Sequence, residues 1–188
     1  MNSGFNKAAN SAGVKPSCFV AGTLVMAVAG MVAIEKIKSG DKVISTDPET
    51  FETAEKTVLE TYIREDSKLI HLVINGEEVV TTETHPFYVN DRGFVNAGEL
   101  AIGDELLDVT GNILLVENFD VELTDEPTKV YNFQVEVFHT YHVGELGVLV
   151  HNAEKYGNGH YDNNPSDNPK VLACLLYTSP SPRDRQKS

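Results

Sequence analysis

Two sites, at the ends of a 135-residue stretch counted inclusively, could each break a peptide bond of their own chain. Cys18 carries a thiol that can attack the carbonyl of the residue before it, Ser17, and turn that peptide bond into a thioester. Asn152, preceded by His151, carries an amide that can attack its own backbone carbonyl. That attack closes a five-membered succinimide and severs the bond to Ala153. One reaction opens an upstream junction and the other a downstream junction. A single folded domain with Cys first and His-Asn last could therefore release itself from both neighbours. Thiol attack on an amide is uphill unless nucleophile and carbonyl are held in line, and intramolecular placement supplies much of that advantage.

The elements that must hold these groups read as β. VYNFQVEV (130–137) alternates with period 2 and is rich in β-branched and aromatic residues. KLIHLVI (68–74), EVVTT (78–82), ILLVENFDVEL (113–123) and VGELGVLV (143–150) read as further strands. Asn75-Gly76 predicts a two-residue hairpin. Asp91-Arg92-Gly93 and Thr110-Gly111-Asn112 predict turns. Ile34–Lys38 and Ala97–Leu100 could each form one helical turn. The expectation is an all-β domain of many short strands without a long helix.

An internal repeat supports two related halves. The segment from Gly30 to Ile44 matches that from Gly93 to Leu107 at a constant offset of 63 residues. Gly, Val, an aliphatic, Gly-Asp and two aliphatics recur at the same places. Two copies are too few for a solenoid and suggest packing about a pseudo-twofold axis.

Composition narrows the partners. The chain has 188 residues and a formal charge of −13. Between Cys18 and Asn152 there are 24 Asp/Glu against 8 Lys/Arg. This balance argues against nucleic acid or an anionic membrane as partner. No apolar run reaches the length of a spanning helix. Residues 1–17 lack a basic n-region and an apolar h-region, so they do not read as a signal peptide. Two cysteines make no disulfide framework, and a bridge from Cys18 to Cys174 would disable Cys18. Residues 1–17 read as a flexible leader, 18–152 as the β domain and 153–188 as a polar tail. About 171–188 reads as cloning or adaptor read-through.

Five ordered blocks carry a resemblance: Cys18-Phe-Val-Ala-Gly-Thr23, Thr82-Glu-Thr-His85, Val130-Tyr-Asn-Phe133, Phe138-His-Thr-Tyr-His142 and Val150-His-Asn152. In this order the chain resembles a Hint (hedgehog/intein) domain, most closely a bacterial intein-like domain of type A, over 18–152. The resemblance implies a β horseshoe of two pseudo-symmetric halves, in agreement with the repeat. It implies an acyl shift at Ser17–Cys18 and cyclisation of Asn152, with the chain's own flanks as substrate. It also implies a monomer needing no cofactor or metal. His85 is expected to protonate the departing nitrogen of Cys18, and Thr82 to hydrogen-bond that unit or orient His85. His151 is expected to polarise the Asn152 carbonyl. His139 matches the histidine that assists Asn cyclisation, with His142 as competitor. In one strand these two would face opposite sides. His71 reads as structural and His160 as idle. The parent is expected to be bacterial, secreted or cell-surface among the options, with its compartment open.

Two departures from the family pattern alter the expected outcome. Typical inteins place Ser, Thr or Cys after the final Asn, whereas this chain has Ala153. The branched ester cannot form, so the thioester should fall to water, an external thiol or the freed amine of Ala153. Cleavage should then exceed splicing. Asn132 stands where many inteins carry an Asp, and it cannot act as a base. The span leaves no room for a homing endonuclease, and a sterol transferase has no use for a terminal His-Asn. Two other readings remain open: a cysteine peptidase acting in trans, using Cys18 and His85, and an inactive β linker.

Overall fold

The structure, a computed structural model, describes residues 17–152. Ala153, His160 and Cys174 lie outside the described residues, as do the readings of 1–16 and 153–188. The strands are β1 (Phe19–Val20), β2 (Leu24–Ala27), β3 (Gly30–Ala33), β4 (Lys42–Thr46), β5 (Thr53–Ile74) and β6 (Glu77–Thr82). They continue as β7 (Pro86–Val89), β8 (Gly93–Asn96), β9 (Glu105–Leu107), β10 (Ile113–Val135), β11 (Thr140–Val143) and β12 (Val148–His151). Two single-turn 3-10 helices, Ile34–Lys36 and Ala97–Glu99, occupy the places where one helical turn is expected. No α-helix occurs among the described residues.

The internal repeat is a repeat of structure. β2, β3, a 3-10 turn, β4 and the long β5 recur as β7, β8, a 3-10 turn, β9 and the long β10. The long strands pair antiparallel with each other from Val58 with Val135 to Ile74 with Val116, so the two halves join along this ribbon. The sheet order β11-β12-β7-β9-β10-β1-β6-β5-β4-β2 closes through a β11–β2 link at Val143 and Val25. The corners rest on single residue pairs, among them Val150 with Phe87 and Ala27 with Val43. The core runs through both halves, with Phe19, Phe87, Phe133, Tyr141, Leu72 and Leu106 fully buried.

Three local expectations change. The run 143–150 is not one strand: Gly144 (φ 76°) and Gly147 (φ 71°) take left-handed backbone and turn β11 into β12. Glycine meets that need without a Cβ penalty. Glu77 steadies the turn by accepting from the N–H groups of Glu145 (2.7 Å) and Leu146 (3.1 Å). Second, 113–123 and 130–135 form one strand. The register shifts between Leu123 and Thr128, so Pro127 falls in a bulge, where a missing donor costs little. Third, β5 reaches back to Thr53 through a charged segment. That half of the ribbon carries little buried surface, so it leaves no apolar alternation to read.

These elements deliver both junctions to the interior. β1 inserts between β6 and β10, with Phe19 pairing both Thr81 and Tyr131. Full burial of the Phe19 side chain contributes about 1.5–3 kcal/mol. It anchors the residue immediately after Cys18. At the other end β12 lies between β11 and β7, and Asn152 follows it directly.

Candidate functional site

At the upstream junction both backbone groups of the Ser17–Cys18 peptide bond, and the Cys18 carbonyl, are engaged. The Cys18 N–H donates to Thr82 Oγ1 (2.9 Å). The Cys18 carbonyl accepts from the Thr82 N–H (2.9 Å) and from Thr81 Oγ1 (2.9 Å). The Ser17 carbonyl accepts from Asn132 Nδ2. Ser17 Oγ donates to Thr84 O at 3.3 Å. Of the two expected roles for Thr82, its hydroxyl takes the contact with the junction amide. The contacts of Thr81 and Asn132 were not foreseen. Nothing in a local pattern marks Thr81, whereas Asn132 lies inside a quoted block.

Cys18 is 1% exposed and sits against Leu69 and Val130. Burial pushes its thiol up to about 12, with Arg64 pulling it down and Asp66 pushing it up. The resting group is therefore a thiol, not a thiolate.

His85 lies on the turn between β6 and β7, where its N–H donates to Thr82 O (3.3 Å). Pro86 then opens β7. The ring is fully buried and packs on Phe19 at 4.1 Å between centroids. Neither ring nitrogen completes a hydrogen bond among the described residues. The backbones of Ser17 and His151 nevertheless lie near enough to favour its protonation. Burial outweighs them and, with His151 adding to the effect, holds His85 at about 3. The imidazole is neutral near pH 7. It cannot start as a stored imidazolium, so any proton it gives up must first be taken from a neighbour.

At the downstream junction His151 Nδ1 lies 2.9 Å from Asn152 O. A carbonyl only accepts, so Nδ1 carries the proton and donates. The His151 ring packs on Phe94 (5.2 Å), and burial lowers its pKa to about 4. The Asn152 N–H donates to His139 O (2.8 Å) and its Nδ2 donates to Val135 O (3.2 Å). Asn152 Oδ1 is buried without a partner among the described residues.

The two late histidines separate. β11 begins only at Thr140, and His139 precedes it with φ 56°, so the strand breaks between them. The His139 ring is exposed and its centroid is 6.4 Å from that of His151. His142 is held elsewhere. Its Nδ1 donates to Gly147 O (2.8 Å), and its Nε2 accepts from Thr46 Oγ1 (2.8 Å). It clamps the β11–β12 turn to β4, and burial lowers its pKa to about 4. His71 bridges Glu78 (3.0 Å) and Glu122 (2.6 Å) across the ribbon.

Three buried neutral histidines give a pH signature. His85, His142 and His151 have folded pKa values of about 3, 4 and 4 against an ordinary 6.5. Above 6.5 both folded and unfolded forms are neutral, and the fold keeps its full stability. Below 6.5 the unfolded chain binds protons that the folded chain refuses, so stability falls until pH reaches the folded values. Between pH 6.5 and 5 each group removes at most about 2 kcal/mol. His71, raised by Glu78 first, works in the opposite sense and offsets a small part. A urea midpoint for the Cys18→Ala, Asn152→Ala chain is expected to drop clearly from pH 7 to pH 5. An unchanged midpoint would show that these rings are not buried.

Among the described residues no group of three or more His, Cys, Asp or Glu side chains could hold a metal ion. Nor is any helix there long and apolar enough to cross a membrane.

A family model described as the pretoxin HINT domain matches residues 24–153. No curated protein matches the chain. The chain is similar to the solution structure of a bacterial intein-like domain from Clostridium thermocellum. The two are 62% identical with a TM-score of 0.72, over 73% of this chain and 100% of that one. It is similar in fold to a DnaB intein from Synechocystis sp. PCC 6803, at 15% identity and TM-score 0.60, over 73% of this chain and 99% of that one. The gp41-1 intein is comparable, at 23% identity and TM-score 0.61, over 73% of this chain and 100% of that one. The last two likenesses speak for the fold alone.

Proposed function

The chain belongs to the pretoxin Hint family, close to the bacterial intein-like domains, and on that premise we propose that residues 18–152 excise themselves by cutting at Ser17–Cys18 and Asn152–Ala153. The flanks 1–17 and 153–188 are the substrate in cis. The observation that carries the reading is a buried donor at each junction carbonyl of one domain: Asn132 Nδ2 at Ser17 O and His151 Nδ1 at Asn152 O.

Cys18 Sγ attacks the Ser17 carbonyl carbon, the C–N bond breaks and the thiol proton ends on the Cys18 nitrogen. His85 rests neutral, so it takes that proton and passes it on. Thr82 holds the departing nitrogen through its hydroxyl. At the other end Asn152 Nδ2 attacks the Asn152 carbonyl carbon while His151 Nδ1–H steadies the oxygen. The C–N bond to Ala153 then breaks, and a proton from Nδ2 ends on the Ala153 nitrogen. His139 assists from beside His151, and His142 is a structural clamp. With Ala153 after Asn152, the thioester passes to water, to an external thiol or to the amine that Asn152 releases. Splicing is the minor product.

Neither other reading is favoured. A peptidase acting in trans needs an open nucleophile, whereas Cys18 is 1% exposed and its own junction fills the site. An inert linker has no use for a carbonyl donor at each junction.

Intact mass of the chain, followed over hours with and without dithiothreitol, tests the proposal. Fragments ending at Ser17 and at Asn152 are expected, the first accelerated by thiol. A small yield of 1–17 joined to 153–188 is expected from the amine route. A full-length mass that never changes would overturn the reading.

A further inference from the structure

Asn132 stands where a carboxylate is expected, and its contacts describe a different device. The Phe133 N–H donates to Asn132 Oδ1 (2.8 Å). The Tyr141 hydroxyl donates to the same oxygen (2.7 Å). A backbone N–H can only donate, so the amide orientation is fixed: the oxygen faces Phe133 and Tyr141, and the NH2 group faces Ser17 O. Asn132 is 2% exposed and Tyr141 is fully buried, so water does not compete for these bonds. Asn132 lies on β10, next to Tyr131, which pairs with Phe19 of β1. Tyr141, on β11, packs its ring edge-on against Phe19 (6.3 Å between centroids).

Resting on the self-processing reading, we propose that Asn132 is a catalytic residue at the upstream junction, an N–H donor to the Ser17 carbonyl oxygen that Tyr141 positions. When Cys18 Sγ adds to the Ser17 carbonyl carbon, negative charge gathers on that oxygen. The Asn132 N–H already points at it. As the intermediate collapses, the C–N bond breaks, the oxygen becomes the thioester carbonyl and the sulfur proton ends on the Cys18 nitrogen. A fixed donor in a dry site helps most where charge develops, and loss of one such donor costs roughly 100- to 1,000-fold in rate. The same position therefore acts through hydrogen-bond donation, where a carboxylate could act only as a base. Asparagine there is no defect.

The two roles make opposite predictions for Asn132→Asp. If position 132 works as a base, a carboxylate speeds the upstream cut. If it works as a donor, a carboxylate turns lone pairs toward Ser17 O and slows it. The rate then recovers as pH falls, because only the protonated carboxyl can donate. The experiment follows upstream cutting in dithiothreitol, divided by the downstream rate of the same sample, from pH 8 to pH 5. Asn132→Ala is expected to lower the ratio about 100-fold. Asn132→Asp is expected to lower it near pH 7.5 and to regain part of it by pH 5. An Asn132→Asp chain as fast as the parent near pH 7.5 overturns the proposal.

A second measurement needs no turnover. In the Cys18→Ala background, which cannot form the thioester, Ser17 labelled with 13C at its carbonyl gives its own infrared band. That band is expected at lower frequency with Asn132 than with Asn132→Ala. Tyr141→Phe is expected to move it partway, as a positioning residue should. A parent chain that cuts while the band ignores Asn132 sinks the donor role alone. A chain with the shifted band that never cuts sinks the self-processing reading, and the catalytic role with it.

Discussion

Cys18→Ala is expected to abolish the cut before position 18 and to leave the cut after Asn152 running. Asn152→Ala is expected to do the reverse. In a splicing reaction the residue after Asn accepts the upstream acyl group, and the two cuts become steps of one sequence. Ala153 offers no hydroxyl or thiol, so that link is missing. The structure gives each junction its own frame. Thr81, Thr82 and Asn132 hold Ser17 and Cys18, whereas His139, His151 and Val135 hold Asn152. His85 stands near both, packed on Phe19 beside Cys18 and close to His151. Replacing the nucleophile removes the bond-forming atom itself, so each loss should be complete on the scale of intact mass spectrometry. The fold should survive Cys18→Ala, since one buried sulfur is exchanged for a small void. If either single change stops both cuts, the junctions are coupled, and the shared histidine becomes the place to look.

The sequence made legible what local chemistry can mark. Cys18, His85, His151 and Asn152 are recognisable by type and order, and all four are buried in the structure. The 63-residue repeat is visible because each half needs the same strand, 3-10 turn, Gly-Asp turn and strand. Asn75-Gly76 is visible because that turn needs left-handed backbone, seen at φ 45° and φ 85°. What stayed hidden is set by distant partners. The charged half of β5 pairs with β10 through its backbone, which leaves no apolar period. The 143–150 run hid a turn because aliphatic residues flank its glycines. Asn132 looked like a lost base because its target, Ser17 O, is 115 residues away in sequence. His142 competed with His139 on spacing alone. Thr46, 96 residues upstream, is what removes it from the site.

His151→Ala is expected to slow the downstream cut by roughly 100- to 1,000-fold, the cost of losing one donor at a developing oxyanion. The argument rests on protonation state as well as distance. Burial holds His151 at about 4, so near pH 7 it is neutral, and its single ring proton sits on Nδ1 at 2.9 Å from Asn152 O. It polarises the carbonyl by a fixed hydrogen bond and does not need to titrate. Above about pH 5 its own ionisation therefore adds no bend to the rate profile. A requirement for the imidazolium would instead make the rate climb steadily as pH falls from 8 toward 4. The ring also packs on Phe94, so the substitution opens a cavity at the end of β12. The upstream cut in dithiothreitol separates these effects: if it persists in His151→Ala, the fold is intact and the downstream loss is chemical. A His151→Ala chain that releases its C-terminal flank within about threefold of the parent rate would remove His151 from the mechanism. Succinimide closure would then depend on how Asn152 is held, through the bonds from its N–H to His139 O and from its Nδ2 to Val135 O.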